Sequence, residues 1–496
     1  MQLQFQSREI RCMGSVARET TAQEATQEVK LTDGMPDIGC VLASWGQIVI
    51  RSKEWRGDTV FANGGVMVWI LYAPEDGSEH QVVETWIPYQ LKWDRMEAKR
   101  EGPVHISPML RGLDARVISP RKLMVRAGTA ALAEAWCPEE HTLYFAGDVP
   151  EDVQLCKRTY PVRLPREAGE KTFQVDEEVA LDGLLPEKII AYTVKPSLTE
   201  TRILTNRILF RGGCNLHLIY SGSGGRIRTA DFEVPFSQYA DLDESYGADS
   251  HGNVGLAVTN LELNMDDQNI WLKCGLVGQY RIDDRDLIEV VEDAYSTRRE
   301  VSVDAQVLQL PAILEERAES LPVTAKVRDI PGNIIDIGTY PDIPRHSRNA
   351  DGVEWEIPGQ SQIVSVDESG DLHSATARWE IKTGIKADEG SSMYGRVVSD
   401  DIFQTSVTGD GMELRGKLQL QTETTSNSGI AMVTGMEIGE AHEKGSDRPS
   451  LILRRYGGES LWQLAKSCGS TVDAIREVNG IQEEPETHQM LLIPMQ

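Results

Sequence analysis

Residues able to do chemistry are scattered along this chain. The nine histidines stand at positions 80, 105, 141, 217, 251, 346, 373, 442 and 488, and none shows the pair spacing of metal ligands. His217 lies inside a strand-like apolar run, where a histidine packed in a core or on a sheet face is the simpler reading. Gly222-Ser223-Gly224-Gly225 sets a serine among glycines but lacks the strand-to-helix context of a nucleophile elbow, and it reads as a hairpin tip. Asp241-Leu242-Asp243-Glu244-Ser245 alternates acids as calcium loops do. The sixth position, which such a loop needs as glycine, is Tyr246, and the twelfth is Gly252, so a solvated acidic loop is expected. Asp283-Asp284-Arg285-Asp286 lies between apolar runs and reads as a turn, with paired acid–base carboxylates as the alternative. No phosphate-cradling G-x-x-x-x-G-K-[ST] occurs. These residues give no positive sign of an enzyme and imply no cofactor and no metal.

Composition narrows the partners. At 496 residues the chain has room for several domains, each of about 100–200 residues. A formal charge of −27 disfavours nucleic acid and anionic membrane as direct ligands. No apolar run is long enough for a transmembrane helix. Residues 1–30 are Gln-rich and charged, without the apolar core of a secretory signal, so the protein is expected to stay where it is made. The seven cysteines (Cys12, Cys40, Cys137, Cys156, Cys214, Cys274 and Cys468) are scattered and never form C-x-x-C. That pattern fits reduced thiols better than a disulfide framework or a zinc site.

Self-similarity reveals the elements that must position any site. Gly64–Tyr72 (GGVMVWILY) and Gly212–Tyr220 (GGCNLHLIY) stand 148 positions apart. Ile87-Pro88-Tyr89 and Val234-Pro235-Phe236 stand 147 apart, as do Leu123–Gly128 and Ile270–Gly275. A tandem duplication accounts for all three. A fainter third copy aligns Gly359 with Gly212, Ile381 with Val234, and Leu414-Arg415-Gly416 with Leu272–Gly275. Each copy reads as strands: Val66, Val68, Ile70 and Tyr72 alternate, while Trp69 and Leu71 make the opposite face apolar too, as in a strand buried on both sides. Asp76-Gly77, Gly224-Gly225 and Ser369-Gly370 supply hairpin turns. Outside the C-terminal tail, only Gln306–Glu319 and Thr20–Val29 are read as short helices.

The tail has its own grammar. Leu451–Tyr456 begins as a strand and Gly457-Gly458 turns it. Ser460 and Gln463 have capping-box spacing, and Leu461, Leu464 and Ala465 share one helical face. Gly469 stops this helix; Thr471 caps a second, with Ile475 and Val478 expected inward and Asn479-Gly480 at its end. Leu491–Ile493 closes the unit as a strand. The expected fold is mainly β: three tandem β-rich repeats over residues 1–150, 151–305 and 306–439, a polar linker over 440–449, and a small βααβ unit over 450–496.

The tail resembles a LysM domain, a module that binds N-acetylglucosamine glycans or, less often, a protein. It departs from the LysM pattern in two places: Gly458-Glu459 replaces the usual Gly-Asp, and His488-Gln489 replaces the usual Pro-Gly. Both flank the family's sugar groove. The repeats, with a Gly-led strand ending in Tyr, a Val-Pro-Phe strand and Val290–Ser296 (VVEDAYS), resemble SPOCS domains. SPOCS copies followed by LysM resemble the spore-coat morphogenetic proteins of Firmicutes, the SipL-like type of clostridia and its counterpart in bacilli. The resemblance implies a non-enzymatic scaffold in the mother cell, at the forespore surface. Its LysM would dock to the coat basement-layer ATPase and its SPOCS copies would engage other coat proteins; a peptidoglycan-binding cell-wall protein is the alternative. The implied partner-binding residues are Gly458, Glu459, Ser460, Trp462, Arg476, Asn479, Gly480 and Ile481, with Trp462 serving equally well as half-buried support.

Overall fold

The structure, a computed structural model, describes residues 2–94, 101–181, 186–222, 224–266, 269–327, 330–350, 352–399, 403–408, 411–441 and 449–495. One strand order occurs three times. In the first unit Gln6–Lys30 pairs with Lys122–Phe145, whose other edge takes Val104–Ser119. Between them in sequence, Ile38–Arg56, Thr59–Pro74 and Gln81–Asp94 form a meander. The second unit repeats this with Val153–Ala180, Asn269–Ser296 and His251–Met265 in one sheet, and Lys188–Leu204, Arg207–Ser221 and Ile227–Asp241 in the other. In the third, Gly411–Ser426 lies between Ile313–Val327 and the pair Ser391–Ser399 and Gln404–Thr408. Its meander is Asn333–Pro341, Gly352–Val366 and Leu372–Ile385, with Arg345–Asn349 extending one edge.

Each unit packs its sheets around apolar side chains that alternate along the strands. Val66, Val68, Ile70, Leu123 and Val125 fill one such core, Phe210, Leu216, Leu272 and Leu276 a second, and Trp355, Ile357, Leu414 and Leu418 a third. Val66, Val68, Trp69, Ile70, Leu71 and Tyr72 are all buried, as a strand covered on both faces requires. The repeated glycine has one steric reason. Gly64 lies opposite Tyr89, Gly212 opposite Phe236 and Gly359 opposite Trp379. A Cβ at Gly212 would meet Ser197 O at 1.8 Å and Phe236 Cζ at 2.9 Å, and one at Gly359 would meet Trp379 Cη2 at 2.1 Å. The aromatic ring of the adjacent strand therefore takes the space a side chain would use. This register also corrects the third-copy alignment: the residue matching Val234 is Ala377, not Ile381, because the paired strand arms beyond Gly359 are shorter than those beyond Gly212. The three hairpin glycines Gly77, Gly224 and Gly370 all have positive φ, as their turns demand.

Three other expectations fail. Thr20–Val29 is strand, paired residue by residue with Leu123–Leu132, so tertiary pairing overrides its helix-favouring Gln, Glu and Ala content. Gln306–Glu319 is split between Arg299–Leu308 and Ile313–Val327, with Pro311 in the break, where a helix interior would not tolerate it. Asp283–Asp286 is no turn but lies in the continuous strand Asn269–Ser296, with a bulge between Ile282 and Asp283. A further sheet joins Gln2–Gln4, Ile430–Ala441 and Arg299–Leu308, tying the start of the chain to two later segments. Glu440 and Ala441 end that strand, while residues 442–448 of the expected linker lie outside the described residues.

The C-terminal unit is βααβ: Leu451–Arg455, α1 (Leu461–Cys468), α2 (Val472–Asn479) and Met490–Pro494. Ser460 Oγ accepts the Gln463 amide and Thr471 Oγ1 the Ala474 amide, while Gly469 and Gly480 end the helices in left-handed conformation. Val478 points outward and is 46% exposed; Ile475 alone represents α2 in the core. Among the described residues no helix is long and apolar enough to cross a membrane.

Candidate functional site

The C-terminal unit is seated on the second β unit. Its core of Tyr456, Leu461, Leu464, Ala465, Ile475, Leu491 and Ile493 is completed by Tyr295, from the end of Asn269–Ser296. The Tyr295 ring meets Trp462 edge-on at 4.8 Å, and its hydroxyl donates to Ser470 O at 2.9 Å. Asp293, two residues earlier and on the same face, accepts from Trp462 Nε1 at 2.8 Å and from Lys466 Nζ at 2.7 Å. Burial opposes the Asp293 charge, but Lys466 and the indole N–H outweigh it and hold the carboxyl below its ordinary range.

The eight candidate residues have different fates. Trp462 is half-buried, with its indole turned to Asp293 and Tyr295. Ser460 caps α1 and Gly480 ends α2. Asn479 works as a staple: its side chain donates to Ile475 O and Leu492 O and accepts the Leu492 amide. Arg476 O accepts the Ile481 amide, and Ile481 is partly buried against the core. Gly458 adopts φ +93°, and Glu459 folds back to accept the Gly457 amide while pairing with Arg454. Across from this loop, Glu484 accepts both the Tyr456 hydroxyl and the Leu461 amide, the helix-start donor left over by Ser460. His488 carries φ +79° and its amide donates to Tyr456 O, so the two departing loops are joined by backbone pairing.

Residues 186–266 match the family model described as SipL, SPOCS domain, and residues 458–494 match the LysM domain model. This chain carries a SPOCS domain and a LysM domain. No curated protein and no solved structure matches it. SPOCS and LysM are families of non-catalytic domains; together they fit a spore-coat-associated or cell-wall-binding protein, and LysM suggests glycan binding. The LysM seat on the second β unit was not visible in the sequence: Asp293 and Tyr295 lie in Val290–Ser296, beyond the residues matched as SPOCS, and nothing in that segment told which neighbour they serve. The outer face of the two-stranded LysM sheet was missed too. Leu451 (46% exposed), Leu453 (60%) and Met490 (51%) share that face and are open to solvent.

The chemically suggestive residues of the β units mainly join one unit to another. His217 Nδ1 lies 2.6 Å from Asp231 and Nε2 3.1 Å from Asp336, while Trp45 Nε1 donates to Asp336 at 2.7 Å. Burial opposes its charge, yet the two carboxylates prevail and push the imidazole up to about 10. Three units thus meet at one charged imidazole. A second junction surrounds a cavity of about 570 Å³ lined by all three units. Arg281 donates to Asp283 at 2.7 Å, to Glu423 at 2.6 Å and to Glu316 at 3.1 Å; Arg18 donates to Glu423 at 2.5 Å; both guanidinium groups lie over the Trp136 ring. The Asp283 carboxylate is committed to this pairing, which explains why the acidic cluster sits mid-strand. His105, on the same cavity, is pushed down to about 3 by burial and by Lys53 and stays neutral. Glu167 accepts the Asp243 amide and the Tyr246 hydroxyl, so the acidic loop is anchored by a carboxylate.

Proposed function

We propose that this chain is a scaffold of spore-coat assembly, working in the mother cell at the forespore surface. Its LysM docks to the coat basement-layer ATPase, and its β units engage other coat proteins. What supports a protein over a glycan as LysM partner is the apolar outer face of its two-stranded sheet, with Leu451, Leu453 and Met490, and Arg455 beside them. Exposed large apolar residues grouped on one face suit a protein interface. Trp462, the residue best suited to stack on a sugar ring, is occupied by Asp293 and Tyr295. Because the LysM is fixed to the body, partners of separate units would be held at fixed spacing, and weak contacts would add by multivalency.

The test uses the full chain, since Tyr295 completes the LysM core. Retention on immobilised coat ATPase is compared with retention on insoluble peptidoglycan, for wild type and Leu453→Asp. Retention on the ATPase, lost in Leu453→Asp, is expected. Binding to peptidoglycan alone would instead establish the cell-wall reading, which the LysM match by itself favours.

A further inference from the structure

Cys12 and Glu139 are direct cross-strand partners on Gln6–Lys30 and Lys122–Phe145, and His141 lies two residues beyond Glu139 on the same face. Their sulfur, oxygen and nitrogen atoms all lie within 4.8 Å of one another. His141 Nε2 and Glu139 Oε2 are 3.2 Å apart, close to the roughly 3.3 Å edge between N and O ligands about 2.0–2.2 Å from a tetrahedral zinc. We propose that Cys12, Glu139 and His141 form a zinc site.

Three further features fit this donor set. A Cβ at Gly14 would lie 2.0 Å from Glu139 Oε1, so the glycine opens the space in which the carboxylate turns toward the thiol. Glu139 and Gly14 also line a second cavity of about 380 Å³ together with Gln309, Ser426 and Asn427, so there is open space beside the carboxylate end of the donor set. The charges balance: a thiolate, a carboxylate and a neutral imidazole neutralise one divalent cation. The Arg166 guanidinium is already engaged by Asp286 at 2.9 Å and by Arg11 O at 2.5 Å. A mixed S, N, O set suits zinc better than magnesium or calcium, which prefer oxygen alone.

The experiment strips the full chain with a chelator, then titrates Zn²⁺ against a chromophoric competitor and records the Co²⁺ spectrum. Variants are Cys12→Ser, His141→Ala and, as control for an exposed thiol, Cys40→Ser. One ion per chain is expected, with a near-ultraviolet thiolate-to-cobalt band. Cys12→Ser should abolish the band, and either ligand variant should weaken binding by more than the roughly ten- to hundredfold that loss of an outer partner costs. Cys40→Ser should change neither. His141→Ala, at a partly exposed side chain, keeps the test decisive if Cys12→Ser fails to fold. Wild-type affinity in His141→Ala, a band that survives Cys12→Ser, or no stoichiometric ion in the wild type overturns the proposal.

Discussion

Tyr295 is the residue on which the LysM seat turns, and its truncation tests that seat directly. The side chain is 5% exposed, lies edge-on to Trp462 at 4.8 Å and donates to Ser470 O at 2.9 Å. Tyr295→Ala removes a buried aromatic, a loss of about 3–5 kcal/mol. Tyr295→Phe removes only the hydroxyl contact, about 1 kcal/mol. At about 1.4 kcal/mol per tenfold, the alanine variant should raise the opening equilibrium of the LysM by roughly two to three and a half orders of magnitude and the phenylalanine variant by roughly fivefold. Amide hydrogen exchange resolved by peptide reads this equilibrium locally. The α1 and α2 amides should exchange faster in that order, while those of Thr59–Pro74, in a different unit, stay as in wild type. Exchange in Tyr295→Ala equal to wild type would refute the reasoning, because Tyr295 would then contribute nothing to LysM stability.

Two further predictions concern the joints between units. His217→Gln should destabilise the chain by about 1.5–3 kcal/mol at pH 6, the worth of a hydrogen bond to a charged partner. The folded value of about 10 lies above the ordinary 6.5, so the wild-type advantage is full below pH 6.5 and lost as pH rises through 10; denaturant melts showing a pH-independent difference between the two proteins would contradict it. Arg281→Met should cost about 3–5 kcal/mol, because Asp283 is left buried without its cation, while Glu423 keeps Arg18. Adding Asp283→Leu should return part of that loss, and a double mutant no more stable than the single would show that the Asp283 charge is not its source.

Local rules carried much of this fold. The period-two alternation of Val66–Tyr72, the Gly-Gly and Asp-Gly turns, and the helix caps Ser460, Gly469 and Thr471 express short-range sterics and hydrogen bonding, so they can be read in one dimension. The third repeat was legible through Gly359, although its partner strand was misaligned, because the glycine is demanded by a ring and the hairpin length is not. Thr20–Val29 misled because Gln, Glu and Ala favour a helix locally, while the partner that makes them a strand lies about a hundred residues away.

The sites divide along the same line. The LysM loops were found from sequence, yet whether each loop residue caps, staples or stays free depended on the fold: Asn479 binds Leu492, and Trp462 turns to Asp293. Asp283 looked like a turn because its counter-ion, Arg281, answers to carboxylates from the third unit. Cys12, Glu139 and His141 have no ligand spacing along the chain; antiparallel register alone brings them onto one face. By itself, then, the sequence determined the repeats, the turns, the caps and the LysM module, because each depends on contacts a few residues apart or on a repeated pattern. Only the tertiary structure decided which charges are paired, which aromatic is occupied and which thiol meets an imidazole, because most of those contacts join segments far apart in the chain, as Arg281 with Glu423, Trp462 with Asp293 and Cys12 with Glu139 do.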